Sequence, residues 1–440
     1  MSLKVEAKFY GIQSLFPRSS QSLSRYIRYE TIGHHQDSRT NIAQVKKNAT
    51  TRGKNANTLL LGIELAARIS SAQLTGAKNG SREIEFVPGT INLPNHYTAD
   101  SVTAGSITLL LQVALPLLLF APKPVQASTL TLLGGTNATM APQVDYTKHV
   151  FFPFIRRHFG VENVNLNIHK RGYFPKGGGE VSLSVVPFAG QDQKLRPCRL
   201  MERGKVKWIA GVAHYAGLPA IVGKGMVAGA TQRLAAAGFG LGNQINSRVP
   251  ETHNESQQES NDIPVSISCT REPNNLTIGA GSGIVLWAEL EGGGFIGGSA
   301  VGTKNVAPEK VGEEAAAELI KGLEEDGCVD EVRQISNFLH PQAEKPSSVA
   351  TRPDHYLYGT CRWAVWGEVW NSWSEFTHSV RFIQINGGPC CLPAFSTAIW
   401  VAERLTDAKF EIEEEDSGHT IIRCQRIGYT MPPIPVTESS

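Results

Sequence analysis

The sequence has no apolar run long enough to cross a bilayer. Its one strongly apolar stretch, residues 107–120, is interrupted by Gln112 and Pro116 and falls short of the roughly 20 residues that a spanning helix needs; it reads as a buried core helix. The seven cysteines (Cys198, Cys269, Cys328, Cys361, Cys390, Cys391 and Cys424) are odd in number and show no CxxC spacing. That speaks against a disulfide framework or a zinc site and for a reducing compartment, with no disulfide partner. Nor is there an excess of charge. Against 40 Asp and Glu stand 42 Lys and Arg, a net +2, too little to make the whole surface a polyanion binder. The N-terminus lacks the apolar core of a signal peptide. Residues 18–28 are rich in Ser and Arg, as in a mitochondrial transit peptide, but Glu6, Glu30 and Asp37 oppose that reading.

What is present is an ordinary core-forming composition. Hydrophobic residues make up 41% of the 440, and 43 glycines allow many tight turns; the length suits roughly two to three domains. Residues 1 to about 40 show no sustained period. Residues 58–70 predict an amphipathic helix, with Glu64 and Arg68 at i, i+4, and residues 82–87 alternate as a strand that Pro88-Gly89 ends. Ala104-Gly105-Ser106 opens the apolar helix, a strand follows at 128–133, and a helix with Pro142 in its first turn runs to about Gly160. Further strands are predicted at 206–212, 263–267 and 283–287, and helices at 222–236 and 312–325. Pro264 lacks an N–H, so its strand should sit at a sheet edge or begin at the proline. Residues 291–294 read as a hairpin turn and 247–261 as a polar loop. Residues 332–386 hold Trp363, Trp366, Trp370 and Trp373 with little period. A helix at 397–405 and a strand pair at 409–413 and 420–424 close the chain. This alternation predicts an α+β fold of repeated β-α units, with helices on one face of each sheet.

The most specific stretch is Arg171-Gly172-Tyr173-Phe174-Pro175-Lys176-Gly177-Gly178-Gly179-Glu180-Val181. Val164, Leu166 and Ile168 alternate with asparagines before it and residues 181–185 alternate after it, so it is a turn between two strands. Three glycines strip the side chains from one bend, permit positive φ and let a ligand or another chain reach the amides. Pro175 stiffens the entry. His169, Lys170, Arg171 and Lys176 set cations beside those amides, as an anion requires. Between Lys148 and Lys176 six Lys or Arg stand against one acid, Glu162, so positive charge is concentrated here. A tight hairpin with solvated basic neighbours is the alternative. Gln112, uncharged and polar among leucines, either completes a core hydrogen bond or faces a cleft.

The string resembles the Arg-Gly-x-x-Pro-x-Gly-Gly-Gly-x-Val signature of the RNA 3'-terminal phosphate cyclase family. Upstream, the block Gly134-Gly135-Thr136-Asn137-Ala138-Thr139-Met140-Ala141-Pro142-Gln143-Val144-Asp145-Tyr146 resembles it too. Leu111-Gln112-Val113-Ala114-Leu115-Pro116 is similar to the family's Leu-Gln-x-x-x-Pro, and Val329-Asp330-Glu331 continues the likeness, which spans about residues 50–331 and 396–425. The resemblance implies an α+β architecture shared with enolpyruvate transferases. A large domain (41–198 and 296–440, with 332–390 atypical) would carry a smaller inserted α/β domain (199–295), after an unmatched segment 1–40. It implies ATP and a divalent cation, magnesium, as cofactors. Gln112 and Pro142 would contact the nucleotide, and Arg171, Lys176, Gly177, Gly178 and Gly179 the phosphate or RNA. The implied reaction converts an RNA 3'-phosphate to a 2',3'-cyclic phosphate. A histidine attacks the α-phosphate of ATP, AMP passes to the RNA phosphate, and the neighbouring 2'-OH displaces it. The implied partner is an RNA 3' end, recognised through backbone and sugar, in an intracellular setting, the nucleus, without a membrane.

The chain departs from the family pattern at the nucleophile. Counting back from Thr397 places the expected histidine at Ala394, and His378 and His419 are the nearest histidines. Residues 1–40 hold no counterpart of the family's opening Glu-Gly-Gly-Gly-Gln, and the expected Tyr-x-x-Asp-Gln falls on Val332, Ile335 and Ser336. Four readings follow: a cyclase completed by another residue; a non-catalytic cyclase-like factor binding RNA in ribosome biogenesis; an enolpyruvate transferase; or an ordinary cyclase whose residues 1–40 and 332–390 are mis-assembled sequence.

Overall fold

Strands of alternating burial and helices with one apolar stripe build the α+β fold that the hydrophobic pattern predicts. In the computed structural model, residues 3–7, 26–31, 41–46, 55–78, 85–87, 89–121, 125–138, 141–189, 196, 198–240, 263–324, 327–329, 382–387, 409–414 and 420–425 are described. Helix α1 (Asn55–Ile69) follows three strands, β1 (Leu3–Ala7), β2 (Tyr26–Thr31) and β3 (Asn41–Lys46). These join β4 (Gln73–Thr75) and β5 (Glu85–Val87) in a sheet of order β1-β2-β3-β5-β4. The segment 1–40, which shows no period, thus contributes two strands.

The second sheet runs β6-β8-β10-β9, with β6 (His96–Asp100), β8 (Ser128–Gly134), β9 (Val164–Lys170) and β10 (Gly179–Val185). β6 and β8 are parallel, so the chain must cross over between them. It does so through α2 (Ile107–Leu118). Leu110, Leu111, Ala114, Leu115 and Leu118 of α2 pack on Leu130, Leu132, Val181 and Leu183 of the sheet to form the first core. The short strands β7 (Phe120–Ala121) and β11 (Phe188–Ala189) pair in parallel at its rim.

The helix expected from Pro142 begins two residues later. Short α3 (Val144–Tyr146) runs into a wide π segment, Thr147–Phe151, and then α4 (Phe152–Phe159), which ends on left-handed Gly160. Pro153, in the first turn of α4, has no N–H for the carbonyl one turn back and would clash with it, and widening the preceding turn relieves both faults.

The third sheet has order β14-β13-β15-β16, from β13 (Val206–Ala216), β14 (Val265–Arg271), β15 (Gly281–Leu290) and β16 (Phe295–Val301). β13 and β14 are parallel and joined through α5 (Ala220–Ala236). β14 is an outer strand and begins just after Pro264, so both places open to that proline are met. β15 is buried on both faces, which accounts for its unbroken apolar run. Ile284, Leu286 and Ala288 meet α5 and α6 (Pro308–Glu324) in the second core; Val285 and Trp287 meet Tyr146 and Val150 on the other face. Arg157 pairs with Glu289 at 2.9 Å and His158 lies 2.9 Å from the Gly293 carbonyl, fastening α4 to the hairpin turn that the sequence predicts. An inserted unit ending at residue 295 would put its boundary inside the β15–β16 hairpin, because β16 and α6 share this core. The last sheet, β12-β17-β19-β18, takes β12 (Cys198–Leu200), β17 (Phe382–Gly387), β18 (Lys409–Glu414) and β19 (Thr420–Gln425). The closing strand pair is therefore as expected, and the helix expected at 397–405 lies outside the described residues. None of the described helices is long and apolar enough to cross a membrane.

Candidate functional site

The glycine bend is built by close approach. Gly177 and Gly178 adopt φ of +68° and +75° in succession, a course that side chains resist. A Cβ on Gly177 would stand 2.4 Å from the Thr103 carbonyl oxygen, one on Gly178 2.2 Å from Ile278 Cδ1, and one on Gly179 2.7 Å from Thr136 Cγ2. The bend therefore wedges between the loop that opens α2, the end of β8 and the loop after β14. The Gly177 N–H is donated to the Tyr173 carbonyl at 2.8 Å; Gly177 and Gly179 are buried and Gly178 half-buried. The glycines are needed first for packing, which the spacing alone did not distinguish from an open anion cradle.

The basic neighbourhood is also largely engaged. Arg156 donates to the Val164 carbonyl, Lys170 pairs with Glu180 at 2.8 Å, and Arg157 pairs with Glu289. Arg171, expected to face a phosphate, is buried. Its Nη1 and Nη2 donate to the two oxygens of Asp145 at 2.5 and 2.9 Å, and its Nε donates to Glu272 at 2.6 Å. This bidentate geometry is the strong form of the pair. Burial alone would raise the Asp145 carboxyl, but the guanidinium outweighs it and holds the group well below the usual range. Lys176 remains exposed, with its Nζ 3.5 Å from the Ile278 carbonyl.

Behind Arg171 a chain of side chains links the second sheet to the third. Gln143 Nε2 donates to the Ile284 and Ala300 carbonyls at 3.2 and 3.1 Å. Carbonyls only accept, so its Oε1 must face Asn137, whose Nδ2 donates to it at 2.7 Å. The other Asn137 hydrogen meets His214 Nε2 at 3.1 Å, and Thr136 donates to Asn137 Oδ1 at 2.5 Å. His214 therefore accepts at Nε2 and carries its proton on Nδ1, 2.9 Å from the Tyr173 hydroxyl. Burial, then nearby Arg171, push its pKa down to about 3 despite Asp145 at 3.7 Å, so the ring is neutral at pH 7. Burial raises the Tyr173 phenol. Backbone carbonyls of β15 and β16 thus fix, through Gln143 and Asn137, the tautomer of a histidine on β13 of the same sheet.

The nucleotide residues implied by the resemblance gather on α2. Thr108 Oγ1 donates to the Pro142 carbonyl at 2.8 Å. Gln112, half-buried, is four residues further on the same helix face, about 6 Å along the axis. Gly135 N–H donates to the Gly105 carbonyl and Ile107 N–H to that of Gly135, at 2.8 and 3.1 Å, binding the end of β8 to the helix start. A cavity of about 540 Å³ opens between α1, β4 and β6, lined by Glu64, Arg68, Thr98 and Asp100 among others, but not by Gln112 or the bend. Ala394 lies outside the described residues. Among the described residues no three His, Cys, Asp or Glu side chains converge as a metal site. Cys198, Cys269 and Cys328 are free thiols; burial pushes Cys198 up to about 12, which makes it unreactive.

Sequence reasoning left Asn137, Gln143, Asp145, His214 and Glu272 without a role. Only His214 carried a local signal: it sits in the buried C-terminal half of β13, where a polar group needs partners.

An α+β protein whose parallel β-α-β crossover is clamped by a glycine bend and a buried Arg–Asp pair is the class these features define. The chain belongs to the RNA 3'-terminal phosphate cyclase family, whose model matches residues 38–352. It is 33% identical over 378 residues to the RNA 3'-terminal phosphate cyclase of Methanosarcina barkeri, covering 85% of this chain and 88% of that one. To that of Drosophila melanogaster it is 28% identical over 376 residues, 84% of each. To that of Pyrobaculum aerophilum it is 32% identical over 271 residues, 62% of this chain and 68% of the relative.

Proposed function

We propose that this chain is an RNA 3'-terminal phosphate cyclase, converting RNA 3'-phosphate to 2',3'-cyclic phosphate with ATP, in the nucleus. The observation that supports it is the gathering along α2: the glycine bend at its start, Pro142 tied to Thr108 at 2.8 Å, and Gln112 one turn on. In this reading Gln112 and Pro142 seat the nucleotide, a magnesium ion arrives on the ATP phosphates, and Lys176 with the Gly178 edge of the bend meets the RNA phosphate. Arg171 acts behind the bend, holding its shape through Asp145. The segment that begins at residue 199 forms an inserted unit on the large domain.

Adenylation requires an imidazole, and position 394 is alanine; an active chain takes that imidazole from elsewhere, with His378 and His419 the nearest in sequence. Ala394 itself favours a second reading, a non-catalytic relative that binds RNA in ribosome biogenesis. Incubation with α-labelled ATP and magnesium separates the two. Acid-labile label on the protein supports the cyclase. RNA binding without label supports the second reading, and binding of neither ligand overturns both.

A further inference from the structure

Six large hydrophobic side chains are well exposed among the described residues, and three of them, Val102, Phe174 and Ile278, lie on loops that meet at the glycine bend. Phe174 is 66% exposed, Ile278 63% and Val102 83%. The contacts of Gly177 with Thr103 and of Gly178 with Ile278 bring the three loops together. Lys176, two residues after Phe174, lays its stem along Gly279 and reaches only the Ile278 carbonyl at 3.5 Å. Glu272, the acid at the start of that loop, is engaged by Arg171. Among the described residues no carboxylate pairs with Lys176, so the patch is apolar with a cation at its edge.

Val102 adds an independent sign. Its φ is +60°, a left-handed conformation that a β-branched residue rarely adopts. Asp100 Oδ1 holds it by accepting the Val102 N–H at 2.7 Å, and Ser101 Oγ braces the loop at the Thr103 carbonyl, 2.9 Å away. Strain maintained at the surface marks functional loops. Size then selects the occupant. Three such side chains offer on the order of 400 Å², about half of the roughly 800 Å² per partner of a stable protein interface. That area suits one or two nucleobases.

We propose that the patch is a stacking platform for the last base of a single-stranded RNA. Phe174 takes the face of the base, Val102 and Ile278 wall it, and Lys176 meets the adjoining phosphate. The platform rests on the RNA reading above and extends it to the base beside the reacting end. Stacking tolerates any base, so no sequence preference follows.

The test titrates full-length protein with a short fluorescein-labelled RNA carrying a 3'-phosphate, and with the same strand made abasic at its last residue. Wild-type protein is expected to bind the base-bearing strand roughly 5- to 150-fold more tightly. Phe174→Ala removes that difference, Phe174→Trp retains it, and Lys176→Gln weakens both strands alike and flattens the salt dependence. If Phe174→Ala keeps the full preference, the platform is wrong while the RNA reading stands. Loss of the preference in Phe174→Trp as well would assign the effect to loop shape, and also overturns the platform. Wild-type protein that binds neither strand overturns both.

Discussion

Asp145→Asn is the sharpest perturbation of the junction behind the bend. The substitution keeps the shape of the side chain and removes its charge, turning one oxygen that accepts from Arg171 into an N–H donor facing another donor. Arg171 is buried and depends on Asp145 for two of its three hydrogen bonds. Breaking one partner of a buried pair costs about 3–5 kcal/mol, because the remaining charge stays desolvated. With a urea slope of about 3 kcal/mol per molar, the unfolding midpoint falls by about 1–1.7 M. Replacing both partners, as Asp145→Leu with Arg171→Met, in a Glu272→Gln background that leaves no carboxylate unpaired, should recover much of that loss, since the damage lies in the unpaired charge rather than in the missing bonds. The assay is urea denaturation followed by circular dichroism on the single variants and the pair. A change below about 1 kcal/mol for Asp145→Asn, or strictly additive losses in the pair, would refute the idea that this ion pair holds the junction together.

The neutral, buried His214 makes stability acid-sensitive. Its folded pKa, about 3, lies below its unfolded value of about 6.5, so stability is full above about 6.5 and declines as pH falls towards 3, by about 1.4 kcal/mol per pH unit within that window. Asp145, also depressed, adds its loss only at lower pH. His214→Gln should flatten the melting temperature between pH 6.5 and about 4.5, and an unchanged slope would count against the buried neutral ring. Gly172→Ala tests the packing role of the glycines: its Cβ would stand 2.2 Å from the Gly134 carbonyl oxygen, so a loss of about 1–3 kcal/mol or more is expected in thermal unfolding, and a stable variant would contradict the close approach.

The fold was legible where burial has a period. The alternation of residues 164–185, the leucines of α2 and the proline at the edge of β14 each carry their own local signal, and the structure follows them. What stayed hidden was the pairing of groups distant in sequence. Nothing near Arg171 announces that Asp145, 26 residues earlier, and Glu272, 101 residues later, will take its donors. Its cationic context therefore pointed to a phosphate. Glycine spacing was ambiguous for the same reason: a bend stripped of side chains serves an anion or a neighbouring backbone equally well, and only the positions of Thr103 and Gly134 decide that backbone comes first. The π segment was hidden as well, because Pro153 is acceptable at a helix start and disruptive only when the helix began a turn earlier.

The function is tested most directly by RNA end chemistry. A short RNA with a labelled 3'-phosphate is incubated with the full-length protein, magnesium and ATP, and then treated with phosphatase. For a cyclase the label becomes phosphatase-resistant only when ATP is present. Label that stays fully phosphatase-sensitive at protein in excess over RNA would contradict the cyclase reading and leave the RNA-binding relative in its place.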